Sequence, residues 1–257
     1  MRKLIRNIYL SFLGYFFIPK KSIHVLNSHY VTSDFIKNTD YNIFDNFLKT
    51  ISKHCKLISI QEATNSIYTR YTEVDKPLVA FTFDDGFEEC YTVIAPLLEK
   101  YNIKGAFFIN ANYIQSTLEY QKQFNERIAL QSKKPMTWEQ ITDLHKRGHV
   151  IGSHNLDHTN MAELNEIELD FQINENKKIL EHKLNYSCDY FAWTYGQMKH
   201  FPENALKKAL KCHKYIFSAT NYKNYFSMDN QVINRRHVEA NWPKTHINYF
   251  LSVNKKM

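Results

Sequence analysis

The sequence predicts an α/β fold of parallel βα units, and three observations carry that expectation. Short apolar stretches at 78–83, 104–110 and 190–193 read as buried strands. Segments with apolar residues at helical spacing separate them, and the alternation of apolar strand, helix and apolar strand marks βα connections. With 257 residues, 44% of them hydrophobic, the chain can bury one large core but not two with a linker, a length typical of a single α/β barrel.

The N-terminal segment stands apart from this pattern. Met1 to Arg6 is basic, Ile8 to Ile18 is largely apolar, and Pro19, Lys20 and Lys21 close it. An apolar run of eleven residues is too short to span a bilayer as a helix. It matches the core of a secretory leader, but no small-x-small pattern follows and a strand begins at Ile23. Residues 1–21 are therefore expected to form an interfacial membrane helix or a helix docked on the barrel, and 22–257 the single main domain.

Residues 23–31 give the first strand, with His29 at its end. Ile43, Phe44, Phe47, Leu48 and Ile51 then recur at helical spacing over 40–54, with Asp40 as candidate cap. The strand at 78–83 stops at Asp84, Asp85 and Gly86. Carboxylates at the end of a buried strand are too costly to keep for packing alone, so they point to a site. Cys90 to Tyr101 reads as a helix and 104–110 as the next strand. Residues 112–135 are polar and longer than a usual connection, which predicts a functional loop over the face that carries the aspartates. Thr137 opens a helix with a capping pattern that runs to about Arg147.

The strand Gly148–Ser153 ends in His154-Asn-Leu-Asp-His158. A helix over 160–184 is expected to turn Leu164, Ile167, Phe171, Ile173, Ile179 and Leu180 to the core. A strand at 190–193, a helix from Glu203 to Cys212, a strand at 215–219 and a last strand at 232–237 complete the order. Adjacent aspartates alone are usually a solvated turn, and a His-x-x-x-His pair alone is usually a surface feature. Both at the ends of buried strands can hold a divalent metal on two histidines and one aspartate, leaving the other aspartate as a base.

These motifs resemble the polysaccharide deacetylase family, the carbohydrate esterases that share the NodB homology domain. Thr82 to Gly86 matches the family's Thr-Phe-Asp-Asp-Gly motif unaltered, and His154 to His158 its histidine motif in loose form. A third motif, Phe-Ala-Tyr-Pro-Tyr-Gly in one branch, stands as Phe191-Ala-Trp-Thr-Tyr-Gly196, departing at Trp193 and Thr194. The resemblance covers roughly residues 24–240 and implies a distorted (β/α) barrel in one domain. It implies amide hydrolysis with Asp85, His154 and His158 as metal ligands, Zn²⁺ being the expected ion with Co²⁺ or Ni²⁺ as alternatives. Asp84 is then the base, the Tyr195 N–H binds the oxyanion, and His237 is the candidate acid for the leaving amine. Ala192 replaces the arginine that orients the base in most relatives, so Arg235 or Arg236 is expected to supply that charge. Trp193 is a candidate sugar platform, with Trp138 and Trp242 equally open to a core role.

Thirty-three Lys and Arg against 26 Asp and Glu give a net charge of +7, spread without a basic run. Such a surface argues against a nucleic-acid partner and suits an anionic membrane. Cys55, Cys90, Cys188 and Cys212 show no Cys-x-x-Cys spacing, which predicts free thiols in a reducing compartment. The expected function is metal-dependent N-deacetylation of N-acetylhexosamine in a cell-surface glycan or its lipid-linked precursor. The expected location is the cytoplasm or the inner face of the membrane, with export as the alternative. Hydrolysis of a small amide or cyclic imide, and an inactive glycan-binding relative, are the competing readings. No protein partner follows from the sequence.

Overall fold

The computed structural model describes residues 2–257, with side chains from Leu4 onward, so the Arg2 and Lys3 side chains of the basic N-terminus lie outside the described ones. Ten strands form one curled sheet. Its parallel body runs β1 (Ile23–Ser28), β3 (Leu78–Phe83), β4 (Ala106–Ile109), β5 (Val150–Ser153), β6 (Tyr190–Ala192), β7 (Tyr215–Phe217). The two-residue β2 (Lys56–Leu57) pairs beside β3, and β8 (Phe226–Ser227) is the antiparallel edge on β9 (Val232–Ile233).

The expected last strand at 232–237 is two strands with different partners. Its first part, β9, pairs with β7, and its second, β10 (Arg236–His237), pairs with β1. One short stretch thus joins both ends of the sheet, and Asn234 and Arg235 between its halves are fully buried.

Strand alternation divides the core in two. Val79, Phe81 and Phe83 pack outward against helices α2 (Lys37–Ser52), α4 (Ala95–Lys100) and α6 (Trp138–Lys146). Ala80, Ala106, Phe108, Ala192, Phe217 and Ile233 fill the interior. That interior is floored by Ile60, Ala63 and Ile67 of α3 (Ile60–Tyr68), a helix opened by a Ser59–Glu62 capping box. The same alternation sends Thr82 and Asp84 inward.

Three local expectations are corrected. Asp40 is not a cap: α2 starts three residues earlier and Asp40 is buried, accepting a hydrogen bond from Thr32 Oγ1 at 2.6 Å. The segment 112–135 is not an open loop, since it holds α5 (Leu118–Phe124) and a π-helical turn, Asn125–Ala129. In α7 (Glu166–Leu184), Ile167 and Phe171 are 81% and 55% exposed. Ile173 and Leu180 are buried as expected, and the face they share also carries Leu169, Gln172 and Asn176, because these two amides satisfy loop backbone beside the site.

Helix α8 (Glu203–Cys212) covers the sheet near β6 and β7, and α1 (Arg2–Phe16) docks on α9 (Lys244–Leu251). At that crossing Leu10 is buried, Ser11 Oγ lies 3.0 Å from His246 Nε2, and Gly14 meets the Thr245 carbonyl so closely that a Cβ would sit 1.7 Å from its oxygen. Among the described residues all four cysteines are free and no helix is long and apolar enough to cross a membrane.

Candidate active site

The two adjacent aspartates at the end of β3 turn to different partners. Asp84 is buried and meets Arg235 in a two-pronged pair, Oδ1 to Nη1 at 2.8 Å and Oδ2 to Nη2 at 2.9 Å. Arg235 is itself fully buried. It also donates to Ser218 O and Thr82 Oγ1, and its guanidinium lies over Phe108 at 5.1 Å. Burial would raise the Asp84 carboxyl, but the charge and hydrogen bonds of Arg235 together with the His154 and His29 charges outweigh it and hold Asp84 below the ordinary carboxylate value. The charge missing at Ala192 is thus supplied by Arg235. Arg236 does not share that position: its guanidinium stacks 3.5 Å from the Phe250 ring centre and 4.5 Å from that of Tyr222. Neighbouring strand residues face opposite ways, so only one of the two arginines can reach the interior.

Asp85 takes a left-handed backbone, φ 75°, followed by Gly86 at 82°. The turn swings its carboxylate to His154 and His158, with Oδ1 3.5 and 3.4 Å from their Nε2 atoms. The three residues are buried, and their ligand atoms lie within 4.8 Å of one another. Asp85 Oδ1 is buried with no hydrogen-bond partner among the described residues. His154 Nδ1 donates to Ala192 O at 2.7 Å, which turns Nε2 toward Asp85. Burial lowers His158 to about 3, so its imidazole is neutral at neutral pH, as a ligand must be. An orphaned carboxylate oxygen facing the Nε2 atoms of two buried imidazoles fits a divalent metal.

Neighbouring loops hold these ligands. His158 and Tyr195 also adopt positive φ, 53° and 61°, a strained geometry that surrounding bonds must fix. Arg127 donates to His158 O at 3.0 Å and Asp157 O at 2.7 Å, and Tyr120 OH reaches Asp157 Oδ1 at 2.6 Å. The helical segment 118–129 therefore lies on the histidine loop. It is pinned from the other side by the buried Lys133–Glu89 pair, whose ammonium also donates to Thr32 O. Asn176 donates to Ile109 O and Ser153 Oγ, both at 2.8 Å, and Gln172 accepts from Asp157 N at 3.0 Å. Thr194, which departs from the family's proline, donates to Thr159 O at 2.6 Å and ties the third motif to the histidine loop.

Tyr195 is 44% exposed, its ring 4.9 Å from that of His158. Its backbone N–H has no hydrogen-bond acceptor among the described residues. Trp193 is not a sugar platform: it is fully buried, stacked on Phe201 at 4.3 Å, with Nε1 donating to Gln197 O. Trp138 packs against the core, and Trp242 stands 5.5 Å from His237, edge to face.

His237 belongs to a second cluster, with His29 and Glu239. Glu239 Oε1 lies 3.2 Å from His237 Nε2 and 3.4 Å from His29 Nδ1, while Ser28 Oγ donates to Oε2. Ser28 pairs with Phe83, and Asp84 N donates to Ser28 O, so His29 and Asp84 leave the sheet side by side. Burial would lower His29, but the Glu239 hydrogen bond and the charges of Asp85, Glu239 and Asp84 raise it to about 9. Burial takes His237 the other way, to about 4, with Glu239 opposing and the His29 and Arg236 charges assisting. Two imidazoles share one carboxylate, and their surroundings push them in opposite directions, His29 toward the protonated form and His237 toward the neutral one. The sequence offered no signal for Glu239, since its partner His29 lies 210 positions away in the chain, at the end of the neighbouring strand β1.

The polysaccharide deacetylase family profile matches residues 71–214. A segment of 136 residues, 52% of the chain, is 32% identical to the peptidoglycan-N-acetylglucosamine deacetylase of Bacillus cereus, covering 41% of that protein. The putative polysaccharide deacetylase YxkH of Bacillus subtilis is 25% identical over 133 residues, again covering 41% of the relative and 52% of this chain. The chain thus spans less than half the length of these curated relatives. In fold it superposes on the Streptococcus pyogenes deacetylase PplD with a TM-score of 0.67 at 18% identity, over 91% of this chain and 99% of the other. IcaB from Ammonifex degensii gives 0.68 at 18% identity, over 91% and 98%. The chain belongs to the polysaccharide deacetylase family, on a (β/α) barrel of that family's type.

Proposed function

We propose that this protein is a metal-dependent hydrolase that removes N-acetyl groups from N-acetylhexosamine residues of a cell-surface glycan or its lipid-linked precursor. The observation that carries the reading is the division of labour between neighbours: Asp84 locked by Arg235, Asp85 facing His154 and His158. Two imidazoles and one carboxylate suit Zn²⁺, which when bound supplies Lewis acidity to water and to the acetyl carbonyl. Asp84 accepts the proton of the attacking water, and Arg235 keeps it ionised and oriented. The Tyr195 N–H donates to the carbonyl oxygen as charge builds there.

His29, kept protonated by Glu239, gives its proton to the nitrogen as the C–N bond breaks, releasing acetate and a free amine. It replaces His237 in that role, because a histidine lowered to about 4 has no proton to give at neutral pH. Beside Tyr195 a cavity of about 480 Å³, lined by Arg127, Thr159, Asn160, Glu163 and His200, offers the polar groups that sugar hydroxyls use. That lining favours a glycan over a cyclic imide.

Acetate release from N-acetylglucosamine oligomers, from lipid-linked glycan extracts and turnover of a cyclic imide separate these substrates. The expected result is acetate from glycan and no imide turnover. Imide turnover without acetate from either glycan would replace the reading.

A further inference from the structure

Helix α1 is held on the body of the protein by one face and leaves the other bare. Leu10, Ser11 and Gly14 face α9. Leu4, Ile5, Ile8, Phe12, Tyr15 and Phe16 are between 60% and 77% exposed, and at 3.6 residues per turn they share a single side of the helix. A contiguous apolar strip of this size marks an interaction surface. Exposed Arg6 lies toward one end of it, and exposed Lys20 and Lys21 follow the other.

We propose that this strip seats in the surface of an anionic lipid bilayer. An apolar and aromatic face flanked by cations is what an interfacial helix presents to acyl chains and acidic headgroups. The helix has 15 residues, about 22 Å at 1.5 Å each, short of the ~30 Å hydrocarbon core, so it lies on the membrane instead of crossing it. Its docking on α9 fixes the protein's orientation. A cavity of about 1210 Å³ between α1 and α9, walled by Phe12, Tyr15, Trp242 and Phe250, runs from the strip to His237. His237 shares Glu239 with His29, so the lipid-facing surface and the proposed reaction centre are continuous. Resting on the deacetylase reading, this narrows the substrate to a glycan presented at a membrane surface.

The test is co-sedimentation of the full chain with vesicles of phosphatidylcholine alone and of equal parts phosphatidylcholine and phosphatidylglycerol. The chain should pellet with the anionic vesicles and be released as salt rises. Phe12→Glu with Tyr15→Glu should weaken that partition at least about 100-fold, since two buried aromatic contacts are replaced by repelled charges. Its thermal unfolding and its acetate release from a soluble oligomer should match the parent. Should that variant lose its unfolding transition, Ile5→Glu with Phe16→Glu supplies the same comparison. A parent chain that stays in solution with anionic vesicles, or variants that pellet like it, would overturn the proposal. So would a dimer of the parent chain that the same substitutions dissolve, because a second copy would then cover the strip. Vesicle binding is read without catalysis, so its failure leaves the deacetylase reading standing, and inactivity on every glycan leaves the membrane surface standing.

Discussion

Replacing Asp84 by Asn should lower turnover by about 10²–10⁴-fold while bound metal stays at the parent level, the effect expected of losing a general base with the ligands intact. Asp85→Ala should lose metal and activity together, because its orphaned oxygen is the one that faces both histidines. The two neighbours thus separate in one assay of metal content and rate, and equal metal loss in both variants would mean that the roles are assigned wrongly. Asp84→Asn carries a second signature. The Arg235 pairing holds the Asp84 carboxyl below its unfolded value, so the pair stabilises the fold at pH above the ordinary carboxylate range and that contribution fades as pH falls through the lowered value. The variant should be less stable at neutral pH, with Arg235 left buried and half-paired, and should show a flatter loss of stability in acid.

The second large effect falls on the leaving group. His29→Ala should slow acetamide hydrolysis by about 10²–10⁴-fold yet leave an activated aryl acetate nearly untouched, because a phenolate departs without a proton. His237→Ala should be much milder on both substrates. The pH profile adds an independent reading. His29, faced by Glu239, Asp84, Asp85 and His237, is raised to about 9, so amide turnover should hold below that pH and fall above it as the acid form is lost. Glu239→Gln removes the hydrogen bond and charge that raise it and should move that alkaline limb to lower pH. Equal impairment of His29→Ala on both substrates, with an unmoved limb in Glu239→Gln, would take the proton-donor role from His29.

How far the sequence could be read depended on whether a feature was local. A buried strand that stops at two carboxylates, and another that stops at paired histidines, announce a site because the cost of burying such groups is a property of the residues themselves. Asp84, Asp85, His154 and His158 could therefore be grouped before any geometry was available, and the structure places them within reach of one another. Arg235 and Arg236 could not be told apart, because the choice depends on the phase of a stretch that the sequence presents as one strand and the fold splits in two. The Glu239 contact to His29 rests on the register between β10 and β1, set by backbone pairing across some 210 positions of chain. Aromatic residues misled for a related reason. Trp193 at a strand end has the same local pattern whether it meets a sugar or Phe201, and only packing decides. In α7 an apolar count pointed to Ile167 and Phe171, whereas the need to satisfy Ala111, Ser153 and Asp157 turned Asn176 and Gln172 inward.

Metal content and acetate release, followed together, test the central claim most directly. Protein stripped with a chelator should release no acetate from an N-acetylglucosamine oligomer, should recover with stoichiometric Zn²⁺, and should lose both metal and recovery when His154 and His158 are replaced by Ala. Undiminished acetate release from the stripped protein, or stoichiometric metal retained by the double variant, would contradict the account.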